Sequence, residues 1–211
     1  MNLKSNDSVA KMLRLMEESG RVEQVEEMKR LIACTDSTEE QYSAVLQKLG
    51  DIKSQLATEL ESQDNYARTF LALEDQADVI HRQLNQVREK VISRAENTIS
   101  GIKQTETSAL DAVMWAWDLK DTLEFIQDMI WSAMTNTGAS TRMRTLNSMY
   151  ADINRTLYGA LGAVERLGRM AEKNTVKHKN PSVHRRLKEK KADAPERALS
   201  ASARKPREVS R

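Results

Sequence analysis

The stretch YSAVLQKLGDIKSQLATELESQDNYARTFLALEDQADVIHRQLNQVREKVISR, residues 42–94, decides the fold, because its apolar residues recur every seven positions. One seam position holds Tyr42, Leu49, Leu56, Gln63, Phe70, Ala77, Leu84 and Val91, and the other holds Val45, Ile52, Glu59, Tyr66, Leu73, Ile80, Val87 and Arg94. All are apolar except Gln63, Glu59 and Arg94. A heptad pattern sustained over this length implies long helices packed along a continuous stripe, like those of a coiled coil. Glu59 and Gln63 interrupt the stripe beside the polar run ESQDN, which reads as a kink or hinge, and Arg94 marks its end. Two arrangements remain open. Without a break, Glu39 to Ser100 is one rod of about 90 Å. With a break near Asp64, three helices of similar length follow, and short connections fold such helices into an antiparallel three-helix bundle.

Upstream, Asp7 and Ser8 precede the stripe Val9, Met12, Leu13 and Met16, and Gly20 follows where a helix C-terminus favours glycine. A second helix is expected from about Arg21 to Ala33, with Thr35, Asp36 and Ser37 starting the next one. The first two helices then form a hairpin. Downstream, Gly101 and the polar residues through Ser108 mark a turn before a helix from about Thr105 to Thr135, which ends at Asn136 and Gly138. Ser140 or Thr141 is placed to cap a last helix with the seam Met143, Leu146, Tyr150, Ile153, Leu157, Ala160, Val164, Leu167 and Ala171.

All three prolines, Pro181, Pro195 and Pro206, fall near the C-terminal end. Proline costs about 3 kcal/mol inside a helix, so the expectation is a helical body followed by an irregular tail. Charge divides the chain at the same place. From Lys173 onward the sequence holds 13 Lys and Arg against 4 Asp and Glu, so the tail carries +9 of a net charge of +2 and the body carries −7. The expected organisation is all-α: an N-terminal helical hairpin over 1–37, a long coiled-coil-like helix and bundle over 38–172, and a disordered basic tail over 173–211. With 30% charged and only 4% aromatic residues, the composition is that of helical assemblies rather than of a compact enzyme.

Cys34 is the sole cysteine, so no intramolecular disulfide can form, and no segment has the apolar length of a secretory signal or a membrane span. The expected setting is cytoplasmic, with no membrane association.

No pattern of residues points to catalysis, a cofactor or a bound metal. Cys34 has no nearby histidine or second cysteine to activate it. Glu74, Asp78 and His81 share a helix face at turn spacing and are the only candidate ligand set in the body, and a solvated role is the expectation for them. His178 and His184 flank Pro181 in the tail and are read the same way. Adjacent acid pairs such as Glu17-Glu18 and Glu26-Glu27 point about 100° apart on a helix, which suits solvated faces.

Two features point to partners. Projected on a helix, Trp115, Leu119, Ile126, Met129 and Ala133 share one face, while Leu110, Met114, Trp117, Asp121, Glu124, Asp128 and Trp131 share roughly the opposite one. The second face mixes tryptophan with carboxylates, and Trp117, Asp121, Glu124, Asp128 and Trp131 are its candidate partner contacts. The alternative for this face is the aromatic edge of a core or an oligomer contact. In the tail, Arg185, Arg186, Lys188, Lys190 and Lys191 are candidate contacts to nucleic acid or to an acidic protein. Gly159, Gly162 and Ala163 form a small surface suited to close helix packing.

The segment SVAKMLRLMEESGRVEQVEEMKRLIACTDSTEEQYSAVLQKLGDIKSQL, residues 8–56, resembles the N-terminal pattern of a family of uncharacterised helical proteins. Members are encoded on conjugative and integrative elements of Clostridia and related Firmicutes. The resemblance rests on a short helix ending at Gly20, a turn centred on Asp36, Glu40-Gln41, and a Leu-rich helix ending in Lys53 to Leu56. The family's Lys- and Arg-rich C-terminal region is matched in kind by Lys173 to Arg211. The resemblance implies a mobile-element context and no activity. The expected function is that of a non-enzymatic, self-associating assembly or adaptor protein. A phage-type assembly scaffold whose tail binds a shell protein is the alternative, and a metal-dependent enzyme using Glu74, Asp78 and His81 is the third class.

Overall fold

Asn6 starts the first helix, its side chain accepting a hydrogen bond from the Val9 N–H at 3.1 Å. The helix, α1, spans Asp7–Glu18 in the computed structural model, which describes residues 2–58, 64–101, 107–138 and 140–192. Side chains are described for 2–56, 67–101, 110–138, 140–141 and 143–175. Gly20, at φ 73°, closes α1. Its N–H donates to the Glu17 carbonyl at 2.9 Å, and the Arg21 N–H reaches back to Met16 at 3.0 Å. This is the paired C-terminal motif that needs a left-handed residue.

Four long helices follow: α2 over Val22–Thr58, α3 over Asp64–Ser100, α4 over Thr107–Gly138 and α5 over Arg144–Ala192. No strand occurs among the described residues. Interhelical bonds set the directions. Arg88 on α3 pairs with Glu39 on α2 while Glu74 pairs with Lys53, so the two helices run antiparallel. Gln76 bonds Ser132 and Lys90 bonds Thr122, which makes α4 antiparallel to α3. Trp117 bonds Glu172 and Gln127 bonds Asn154, reversing α5 against α4. Arg166 pairs with Glu27 and Thr156 bonds Gln41, closing the circuit between α5 and α2. The result is an up-down-up-down four-helix bundle with α1 set against α3 and α2.

The heptad seam lines the interior. Tyr42, Val45, Leu49, Ile52, Phe70, Leu73, Ala77, Ile80, Leu84, Val87 and Val91 are buried, facing Leu119, Leu123, Ile126 and Ile130 of α4 and the expected seam of α5 from Met143 to Ala171. The break near Asp64 is realised as separate helices ending at Thr58 and starting at Asp64. The expected kink residues Glu59 and Gln63 lie outside the described residues, as does the segment 102–106 between α3 and α4.

The three helices expected after that break are present as α3, α4 and α5, and α2 adds a fourth. The expected helix start at Thr35, Asp36 and Ser37 does not occur, because α2 runs through it without interruption. Thr35 and Thr38 stand one heptad before Tyr42 and Val45, and both are buried in the same seam. The Thr35 hydroxyl is satisfied inside the helix by donating to the Leu31 carbonyl at 2.9 Å, so it has no need to begin a new one. Asp36 caps a different element, a 3-10 turn at Leu3–Ser5.

Ser140 stands before a 3-10 turn over Thr141–Met143 and makes no side-chain capping bond, so α5 itself begins only at Arg144. At its other end α5 passes Lys173 and Pro181, where an irregular tail was expected, and continues to Ala192. A proline removes one helical hydrogen bond, and a helix can resume beyond it. Residues 193–211, the remainder of the expected disordered tail, lie outside the described residues. No helix among the described residues is long and apolar enough to cross a membrane.

Candidate partner-binding surface

The fold divides α4 as its sequence pattern does. Leu119, Ile126 and Ala133 are fully buried, and Trp115 and Met129 are half-buried beside them. On the far side Leu110 is 59%, Met114 67% and Trp131 61% exposed, with Asp121, Glu124 and Asp128 exposed among them. Phe125, 45% exposed, extends this apolar area. The sequence reading did not group it, since it lies at the margin of the stripe, though its spacing of four from Asp121 placed it within reach.

The two candidate tryptophans differ. Trp117 is held within the chain: its indole N–H donates to Glu172 at 3.1 Å, and the Lys120 ammonium sits 5.1 Å from its ring centroid. Lys120 in turn pairs with Glu124 at 3.3 Å and Glu165 at 3.7 Å. Trp117 therefore braces α4 against α5, where Gly168 leaves room for its ring and for Ala116. Trp131 lies open to solvent. The free part of the face thus comprises Leu110, Met114, Asp121, Phe125, Asp128 and Trp131.

Where α3 ends and α4 begins, a groove of about 930 Å³ is lined by residues including Lys90, Arg94, Asn97, Asp111 and Trp115. Its lysine already has partners. The Lys90 ammonium reaches Asp118 at 2.8 Å and Thr122 at 2.7 Å, and the Trp115 indole donates to the Lys90 carbonyl at 3.0 Å. The Arg94 guanidinium lies 5.8 Å from the Trp115 centroid. Burial lowers its pKa, against the opposing pull of Asp111.

The other candidates are dispersed. Glu74 is drawn into its ion pair with Lys53, while Asp78 and His81 are exposed. Among the described residues no group of three or more His, Cys, Asp and Glu side chains is placed to hold a metal ion. Cys34 is half-buried and burial pushes its thiol pKa up, which disfavours the nucleophilic thiolate. Its sulfur packs on Gly159 of α5, where an added Cβ would stand 2.9 Å from Sγ, so the small surface serves helix packing there. Gly162 faces Arg166, and Ala163 is buried.

Arg185, Arg186, Lys188, Lys190 and Lys191 fall on the last turns of α5, whose side chains, with those of His178 and His184, are outside the described set.

The helices and their antiparallel bundle define a protein of the all-α class. The chain belongs to the family of unknown function DUF6674, which it matches over residues 5–143, from before α1 through the turn that precedes α5. No curated protein and no solved structure matches it.

Proposed function

We propose that this protein is a non-enzymatic helical assembly or adaptor factor of the cytoplasm, an accessory of a mobile genetic element, that contacts nucleic acid through Arg185, Arg186, Lys188, Lys190 and Lys191. The observation that carries the reading is the course of α5. The helix forms one wall of the bundle and then continues to Ala192, bearing the densest run of cations in the chain on a continuation of the body. Lysines and arginines on such an arm neutralise phosphates and release condensed counterions, giving strong, sequence-tolerant and salt-sensitive binding. In the body, Glu27, Glu39, Lys90 and Lys120 are engaged in interhelical pairs, which supports a structural use of these groups.

The test is retention of the full-length protein on duplex DNA as salt is raised. Binding should weaken with a log–log slope of roughly −0.9 per phosphate contact, and reversing the five charges should abolish retention of every sequence alike. Failure of the wild-type protein to bind at low salt would remove the nucleic-acid reading and leave an acidic protein, such as the shell partner of a phage-type scaffold, as the target of the arm.

A further inference from the structure

The heptad seam, Leu49, Phe70, Leu73 and Ile80 among its residues, is buried within a single chain, so any association of copies must use another surface. The outer face of α4 is the uncovered one. Leu110, Met114, Phe125 and Trp131 are exposed along it, interleaved with Asp121 and Asp128. Exposed aromatic and aliphatic groups gathered on one helix face mark interaction sites. Two such faces do not suit each other, because pairing α4 with α4 would set carboxylates against carboxylates. The complement is a helix with an apolar stripe flanked by cations.

The chain carries one such helix. In sequence, Val176, Val183 and Leu187 recur at i, i+7 and i+11, a single helical stripe, and in helical projection Arg186, Lys190 and Lys191 fall beside its second half, with Arg185 and Lys188 farther round the helix. This stripe does not continue the core of α5, since Val176 lies about 140° round the helix from Ala171, the last buried seam residue. The arm also outruns its own bundle. The Trp117–Glu172 bond sets the antiparallel register of α4 and α5. At equal rise the first residue of α4 stands level with position ~182, and positions 183–192 extend about 15 Å beyond it. As a helix leading away from its own α4, the arm cannot lie on that helix's outer face.

We propose that residues 176–191 of one copy dock on the outer face of α4 in a second copy, the apolar stripe over Phe125 and its neighbours and the cations beside Asp121 and Asp128. The inference rests on the assembly half of the function proposed above and is independent of nucleic-acid binding. The contact is between two different surfaces. It closes when two copies exchange arms and propagates when they do not.

Sedimentation of full-length protein at low salt tests this with two variants. One carries Phe125→Ser with Trp131→Ser, and the other reverses the charge of the five arm cations to Glu. Wild type should sediment above the 24.0 kDa of one chain. Each variant alone should be a monomer, and an equimolar mixture should form a dimer, because one supplies an intact arm and the other an intact face. Wild type that stays monomeric at all concentrations overturns the proposal, as does an arm variant that associates like wild type, or a mixture that does not associate. Circular dichroism reads the folding of each variant. Should the serine variant unfold, Asp121→Lys with Asp128→Lys takes its place and must itself be monomeric, and combining it with the reversed arm must restore association. The serine variant keeps the arm, so its retention on DNA reports separately on the nucleic-acid reading.

Discussion

Asp36, in the middle of α2, accepts hydrogen bonds from the main-chain N–H groups of Leu3 at 2.8 Å and Lys4 at 3.0 Å. A carboxylate on one helix thereby caps a turn that lies 33 residues away in sequence, and it holds the fully buried Leu3 in the core. Replacing Asp36 with Ala strands the Leu3 N–H, while the Lys4 N–H keeps the Asn2 side chain as its acceptor at 2.9 Å, and the expected cost is about 1–2 kcal/mol, as for loss of a helix cap. Asp36→Asn keeps one acceptor oxygen and should recover part of that stability. Urea unfolding of the three proteins measures it, and equal stability of wild type and the alanine variant would show that the turn is not anchored by Asp36.

This pair also shows where sequence reading stops. Thr-Asp-Ser at positions 35–37 has the composition of a helix start, and local propensity alone favours a cap. The heptad frame decides otherwise, because stepping back seven residues from Tyr42 and Val45 lands on Thr35 and Thr38, and again on Met28 and Leu31, all of them buried. The period was legible, but two threonines in seam positions hid its extension. The two faces of α4 were legible for the same periodic reason. That Trp117 is consumed by Glu172 and Lys120 while Trp131 is free was not, because it depends on which residue of α5 stands opposite, a register that no local pattern encodes.

Two buried tyrosines should respond oppositely to loss of the hydroxyl. Tyr42 donates to the Ala77 carbonyl at 2.8 Å, tying α2 to α3. The Tyr150 hydroxyl is buried with no hydrogen-bond partner among the described residues, and burial pushes its pKa up to about 12. Tyr42→Phe should cost about 1 kcal/mol, whereas Tyr150→Phe removes an unsatisfied polar group and should be neutral or stabilising. Thermal melts of both variants decide the matter, and a larger loss for Tyr150→Phe would reverse the assignment.

Gly159 offers a coupling experiment. Alanine there gains up to about 1 kcal/mol of helix propensity, but its Cβ would meet the Cys34 sulfur at 2.9 Å, well inside contact distance. In wild type the two effects oppose, and Gly159→Ala should bring little or no gain. In a Cys34→Ala background the clash disappears, and the same substitution should stabilise. A double-mutant cycle isolates the coupling between the two sites. Strict additivity would mean that the α2–α5 approach at this point is not limited by the sulfur.

The last prediction concerns Glu39, which faces Arg88 at 3.8 Å between α2 and α3 and has one carboxyl oxygen buried without a partner. Burial is the main influence on it and raises its pKa, while Arg88 pulls in the opposite direction and Asp36 adds to the rise. A carboxyl whose folded pKa lies above its unfolded one binds its proton more tightly in the native state. Its contribution is therefore fully present below the unfolded pKa and is lost as pH rises through the folded pKa. Glu39 should thus make the bundle lose stability from the ordinary carboxyl range upward toward neutrality, a slope opposite to that of a salt-bridged acid with a depressed pKa. Glu39→Gln, which cannot ionise, should flatten this part of the pH profile and leave the variant relatively more stable at pH 7 than at pH 4, compared with wild type. Urea midpoints across that range measure the difference. If the wild-type advantage grows with pH instead, the attraction of Arg88 outweighs burial and Glu39 acts as a stabilising partner across the α2–α3 seam.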